Sequence, residues 1–320
     1  MDRRAFLVAL TPLAAGCFGG QPSESNATAT ATSTGTPEST PTETPEPTAT
    51  PTATATPEPE ASEAAAELIS TAQGQLAEAV YVYTDGVTGD LMSVTADTES
   101  FRAREVLLQL DGIQRTLVEA EAEATTEDQR ETIEAIDAMQ QFLTHSTDAQ
   151  SWLIEGHDAL TEAYSHMDDD DLGDAEDDVE RVKTAADQVS EPIEAIGAET
   201  EESPAAAVDA IDADEHGAKV TQLTDESEVL TTLADDADDI RNGVTLLSRA
   251  RDEIDDDRTD RAADTADRAY DTLNDAEDRL DDLLDDFPER ASAFETVAED
   301  LRYLASRNAD DADSIYEQYN

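Results

Sequence analysis

The sequence predicts an all-α protein, an elongated bundle of antiparallel helical hairpins preceded by a disordered stalk. Three observations predict it. From Leu68 onward apolar residues recur every three or four positions, the spacing that gathers them on one face of a helix. Nine of the twelve prolines precede residue 62, so the remainder carries few helix breakers. No downstream stretch alternates with period two; Val80-Tyr81-Val82-Tyr83 has β-formers but sits inside a helical pattern.

Charge narrows the class. Lys plus Arg number 19 against 78 Asp plus Glu, a net charge of −59. Phosphate backbones need basic contacts and anionic lipid repels such a body, which excludes nucleic acid and an electrostatically held membrane surface as partners. A hydrophobic fraction of 38% with helical periodicity argues for a folded chain rather than the disorder that charge alone suggests. Rich in Asp, with Lys183 and Lys219 as its two lysines, the chain resembles the proteins of salt-loving archaea. At molar salt the screening length falls to about 3 Å, so dilute buffer is expected to loosen the fold through self-repulsion.

At the N-terminus, Asp2-Arg3-Arg4-Ala5-Phe6-Leu7 precedes an apolar run that ends at Gly16, too short to span a bilayer and suited to a signal peptide over residues 1–16. Arg3 and Arg4 followed by Ala-Phe-Leu resemble a twin-arginine export signal. Ala14-Ala15-Gly16-Cys17 resembles a lipobox with Ala14 where Leu is commoner. That resemblance implies lipidation of Cys17 and a chain held to the cell membrane on its extracellular face. Cys17 is the single cysteine, so no internal disulfide forms. Residues 18–61 are almost wholly Thr, Pro, Ala, Ser and Glu. They lack the apolar area to offset chain entropy, and with Cys17 they form a tether reaching from roughly 40 Å as a coil to about 140 Å extended. Asn26-Ala27-Thr28 is an N-glycosylation sequon, which makes Asn26 a candidate acceptor.

The acidic helical domain is expected over 62–320. Its first helix carries Leu68, Ala72, Leu76, Ala79 and Tyr83 and breaks at Gly86, Gly89 and Asp90. A second runs from Glu99 to Ala124 with Leu107, Leu110, Ile113 and Leu117 on one face. Thr126 offers an N-cap for a long third helix through Ile133, Ile136, Leu143, Leu153, Leu160 and Met167, ended by Asp168-Asp169-Asp170-Asp171. Pro192 is expected to end or kink the fourth helix near Glu191. Gly197 to Gly217 reads as an acidic connector in which Ser203-Pro204 starts a short helix through Val208 and Ile211. A last helix with Phe294, Val297, Leu301 and Leu304 follows Phe287-Pro288.

Displaced by 87 residues, the chain matches itself. Ile136 meets Leu223, Leu143 meets Leu230, Gly156 meets Gly243, Leu160 meets Leu247, and Asp168-Asp169-Asp170 falls on Asp255-Asp256-Asp257. Residues 127–197 and 214–287 therefore read as two copies of one hairpin. Two unrelated hairpins aligning their apolar seams would imply the same architecture, antiparallel helices packed as in bundles.

Chemistry is harder to find. Asp168 to Gly173 is rich in oxygen ligands, but Leu172 and Val179 occupy the fifth and twelfth positions, so it fits no EF-hand and reads as a solvated turn. None of His145, His157, His166 and His216 has Glu three residues before it, as a di-iron bundle requires. Glu162 and His166 lie one turn apart, a spacing that serves a shared metal or a surface hydrogen bond. Trp152, the sole tryptophan, sits beside the apolar seam as a core or partner residue. Nucleophile elbows and phosphate loops are missing, so neither a catalytic residue nor a cofactor or metal ligand set is assigned. The expectation is a non-catalytic, protein-binding structural module at the cell surface. A ligand- or cation-binding lipoprotein accessory to a transporter would instead require a buried pocket lined by Trp152 and tyrosines, and an enzyme would require acids or histidines converging in a cleft.

Overall fold

A computed structural model describes residues 60–86, 90–199 and 211–320, within one compact unit, Pro57–Asn320. Arg3, Arg4, Cys17, Asn26, the tether up to residue 59 and the short helix expected from Ser203 as far as Val208 lie outside the described residues; Ile211, expected to end that helix, is buried but non-helical.

Seven helices, and no strand among the described residues, make up the body: α1 Glu63–Tyr83, α2 Ala103–Glu123, α3 Glu127–Asp168, α4 Leu172–Glu199, α5 Ala213–Asp255, α6 Thr259–Asp285 and α7 Glu295–Tyr319. At 1.5 Å per residue α3 and α5 are rods of about 60 Å. Helices α1 and α2, α3 and α4, and α5 and α6 pair as hairpins, while α5 also packs on α3, α4 and α7. The fold class expected from periodicity is the one observed.

Local chemistry sets the helix starts. The Ser62 hydroxyl accepts from the Ala65 amide at 3.3 Å, Thr126 from Gln129 at 3.3 Å and Asp212 from Asp214 at 2.8 Å, each satisfying a donor the helix leaves unpaired. Gln129 also ties the first hairpin to the second, its amide bonding the Ser62 backbone at 3.2 and 2.8 Å. The seams bury as expected at Ile136, Leu143, Leu153, Leu160, Leu223, Leu230, Ile240 and Leu247, all fully inaccessible. In α1 and α2 the expected Ala72, Leu76, Ala79, Tyr83, Leu110, Ile113 and Leu117 are buried, and only the first position of each seam moves by one residue, to Ile69 and Val106, leaving Leu68 and Leu107 half-buried.

The 87-residue correspondence extends to individual hydrogen bonds. Helix α3 ends at Asp168 and α4 starts at Leu172; α5 ends at Asp255 and α6 starts at Thr259, each 87 positions on. At the first turn the amides of residues 169, 170, 171 and 175 donate to the carbonyls of 165, 167, 166 and 171; at the second, 256, 257, 258 and 262 donate to 252, 254, 253 and 258. Asp170 and Asp257 both take left-handed backbone, φ 61° and 59°. Across the hairpin, His166 Nδ1 meets Asp178 at 2.7 Å, and at the matching positions Thr265 donates to Glu253 at 2.9 Å. The end of α1 uses the same device, with 84, 85 and 86 donating to 80, 82 and 81 and Asp85 at φ 51°. The three hairpins thus share one turn. An L-residue held left-handed is strained by about 1–2 kcal/mol, with aspartate among the tolerant types. Asp257→Val should therefore lower stability by about 1–2 kcal/mol while Asp257→Gly does not, a contrast that thermal melts will read.

One expectation is corrected. Pro192 neither ends its helix nor marks Glu191 as a boundary, because α4 runs through it to Glu199. Val189 and Ile196, on either side of it, are buried to 0% and 1%, and this shared seam holds the helix across the hydrogen bond that proline removes. A second departure concerns α2, which starts at Ala103 rather than Glu99. The preceding residues form a non-helical strap, 90–102, with a 3-10 turn at Leu91–Ser93.

Candidate functional site

Trp152 lies half-buried on α3 beside α4 and joins two adjoining hollows. One, of about 340 Å³, is lined by Ser151, Trp152 and Glu155 of α3 and Glu180, Arg181 and Thr184 of α4. The other, of about 300 Å³, runs from Trp152 past His145 and Asp148 to Gln188, Glu191 and Pro192. Together they make an open groove that shares Trp152 and is lined by the acids Asp148, Glu155, Glu180 and Glu191. Its Arg181 is fixed: Nε and Nη2 bond Glu155 at 3.1 and 2.8 Å, and Nη1 bonds Glu162 at 2.6 Å and Asp178 at 2.9 Å. The bonds to Glu155 and Glu162 raise its pKa further, so the guanidinium is a permanent charge. Burial raises the pKa of Asp148, opposed by the charge of His145.

The histidines go separate ways. His166, raised by its hydrogen bond to Asp178, does not share a ligand site with Glu162, which is committed to Arg181. His157 lies edge-on to Phe294 at 5.6 Å, and His216 packs on Phe142 at 4.2 Å. Among the described residues no group of three metal-ligating side chains forms, and no helix is long and apolar enough to cross a membrane. Asp168 pairs with Arg307 of α7 at 2.8 Å, so the aspartate turn is joined to the bundle.

The most unusual chemistry in the body was not expected from sequence. Lys219 of α5 is fully buried, and its Nζ donates to the Val94 carbonyl at 2.7 Å, Gln150 Oε1 at 2.8 Å and Gln222 Oε1 at 3.0 Å. Three acceptors match the three donors of an ammonium. The Tyr83 ring centroid lies 5.7 Å away. One helical turn past Gln222, Glu226 is also fully buried; its Oε1 accepts from Gln222 Nε2 at 3.3 Å, and the nearby Ala96 backbone lowers its pKa. Burial pushes Lys219 down to about 7 against the pull of Glu226 and Asp90, and pushes Glu226 up to about 7 against the pull of Lys219. Tyr83 is raised well above its ordinary value by burial and then by Glu226.

At this pair, Tyr83 Oη, Gln150 Nε2 and Glu226 Oε2 are buried without a hydrogen-bond partner in the protein, as is Ser146 Oγ one turn before Gln150. A signal for the cluster existed in the repeat. Gln222 and Glu226 stand where the first copy has Ala135 and Met139, and Ser146 and Gln150 stand where the second has Leu233 and Ala237, all four counterparts buried. Each copy turns polar where its twin stays apolar, on facing helices.

No family model matches this chain, and no curated protein or solved structure does so either.

Proposed function

We propose that this chain is a lipid-anchored, extracellular and non-catalytic module that binds another protein at the cell surface. One observation carries the reading: Trp152 lines an open groove between α3 and α4 whose charged rim, above all Arg181, is locked by four hydrogen bonds. Aromatic anchors beside fixed charges are what protein interfaces use for affinity and register. With the body strongly negative, long-range attraction is screened in high salt, so binding there rests on shape and short contacts. The resemblances at Arg3, Arg4 and Cys17 supply export and the anchor, and the 18–61 tether holds the groove away from the membrane. Neither hollow touching Trp152 has a tyrosine in its lining, so the transporter-accessory reading gains no support.

Crosslinking on intact cells in native salt tests the proposal. The wild-type chain should capture a defined surface protein, Trp152→Ala should lose it by at least tenfold with its circular dichroism unchanged, and Cys17→Ser should move the chain into the medium. Equal capture by the Trp152→Ala variant would overturn the groove as the binding face, and membrane retention of Cys17→Ser would overturn the anchor.

A further inference from the structure

In the second and third hairpins, residues 169–171 and 256–258 alone join the paired helices. The first has the same left-handed aspartate turn at 84–86, yet α2 starts only at Ala103. The strap 90–102 is therefore extra chain set into a turn that the other two copies close directly. Long non-helical connections inside compact bundles are uncommon and tend to be functional.

The strap lies across one face of α5. Glu215, Lys219, Gln222 and Glu226, spaced by four, three and four residues, all face it: the Leu91 amide donates to Glu215 Oε1 at 2.6 Å, Lys219 and Gln222 donate to the Val94 carbonyl at 2.7 and 3.4 Å, and the Ala96 backbone lies close enough to Glu226 to lower its pKa. Leu91, Val94 and Ala96 are the buried apolar contacts. Tyr83, Gln150 and Glu226, gathered around Lys219 beneath the strap, each keep a buried polar atom without a protein partner. The strap is held by these contacts and by Phe101, edge-on to Tyr83 at 5.2 Å, whereas the long helices are held by continuous buried seams, so the strap is the segment that opens at least cost.

We infer that residues 90–102 form a latch that lifts from α5 as one unit while the long helices stay packed, exposing a polar cleft walled by α1, α3 and α5. The cleft presents hydroxyl, amide, ammonium and carboxylate groups together, donors and acceptors on three helices. Charged groups facing the pair are Asp90 and Asp97 on the strap, while α1 contributes the titratable but neutral phenol of Tyr83 and α3 the uncharged Gln150.

Native-state amide hydrogen exchange on the full chain in high salt tests this. The Leu91 and Ala96 amides, which face Glu215 and Glu226, eleven residues apart on one stripe, should open with one shared equilibrium, at least 100-fold more often than Leu143 or Leu230 and with a much shallower denaturant dependence. Glu215→Ala, at the rim and remote from the buried pair, should raise opening at both amides by three- to tenfold and leave Leu143 unchanged, although only Leu91 touches Glu215. Exchange of strap amides with the denaturant slope of global unfolding would overturn the latch. So would a Glu215→Ala effect confined to Leu91, which would mean local fraying. Because Glu215 is half-exposed, the variant keeps its fold and the result does not depend on replacing Lys219.

Discussion

Replacing Lys219 by alanine is expected to destabilise the bundle by about 3–5 kcal/mol, the range for removing one partner of a buried charged pair. The loss exceeds the side chain's own packing, since it strands the Val94 carbonyl, Gln150 Oε1 and Gln222 Oε1 without their donor and leaves Glu226 buried without its cation. Lys219→Met combined with Glu226→Leu should recover most of the loss, because well-packed apolar groups often replace buried ions at no net cost. The pH dependence carries a signature as well. Glu226 is raised, so its contribution is full below the ordinary carboxylate range and fades as pH rises through about 7. Lys219 is lowered, so its contribution is full above the ordinary lysine range and fades as pH falls through about 7. The stability of wild type minus that of the double variant should therefore pass through a minimum near neutral pH. Subtraction matters here, since the remaining carboxylates titrate in both proteins and drop out of the difference. Chemical denaturation at fixed salt measures it; a flat difference, or a maximum near pH 7, would show that the pair gains more from mutual attraction than it loses to burial.

Periodicity made the seams of α3 and α5 legible, because long rods packed along one line obey a single rule over forty residues. The same rule missed Lys219. One of two lysines among 78 acids reads as a solvated charge, and only the comparison of Glu226 with Met139 and Gln150 with Ala237 separates it from the surface. The turns were placed correctly but for an incomplete reason. Asp168 to Asp171 looked like solvated acid, whereas Asp170 does the work usually given to glycine at a helix end. Pro192 shows the converse error: a local rule, sound in an isolated helix, yields where Val189 and Ile196 are both held in a seam. The strap was invisible because its hold on α5 comes from residues more than a hundred positions away, a distance at which no local pattern speaks. Trp152 was singled out from sequence, but its groove depends on Arg181 being held by Glu155 and Glu162 across the hairpin.

Gly243→Ala is the second substitution expected to matter, and two principles oppose each other there. Helix propensity favours alanine over glycine by about 1 kcal/mol in mid-helix. Packing opposes it: a Cβ on Gly243 would lie 2.5 Å from Leu273 Cγ and 2.7 Å from its Cδ2, inside any real contact. Leu273 is fully buried, and its Cγ is held close to the α6 backbone, so relief requires α5 and α6 to separate. Overpacking of this kind costs about 1–3 kcal/mol, and the net expectation is a loss. Gly156, the matching residue of the first copy, offers a graded comparison. Its Cβ would meet only the tips of Leu230, Cδ2 at 2.7 Å and Cδ1 at 2.8 Å, with Ala185 Cβ at 3.3 Å, and tips yield by a change of rotamer. Gly156→Ala should therefore cost less than Gly243→Ala. Adding Leu273→Ala to Gly243→Ala should cost far less than the two changes summed, since the new methyl enters the space the leucine leaves. Thermal unfolding of the four variants decides between the terms. If Gly243→Ala melts above wild type, propensity has won, and the close approach of α5 to α6 is not what fixes glycine at this position of the repeat.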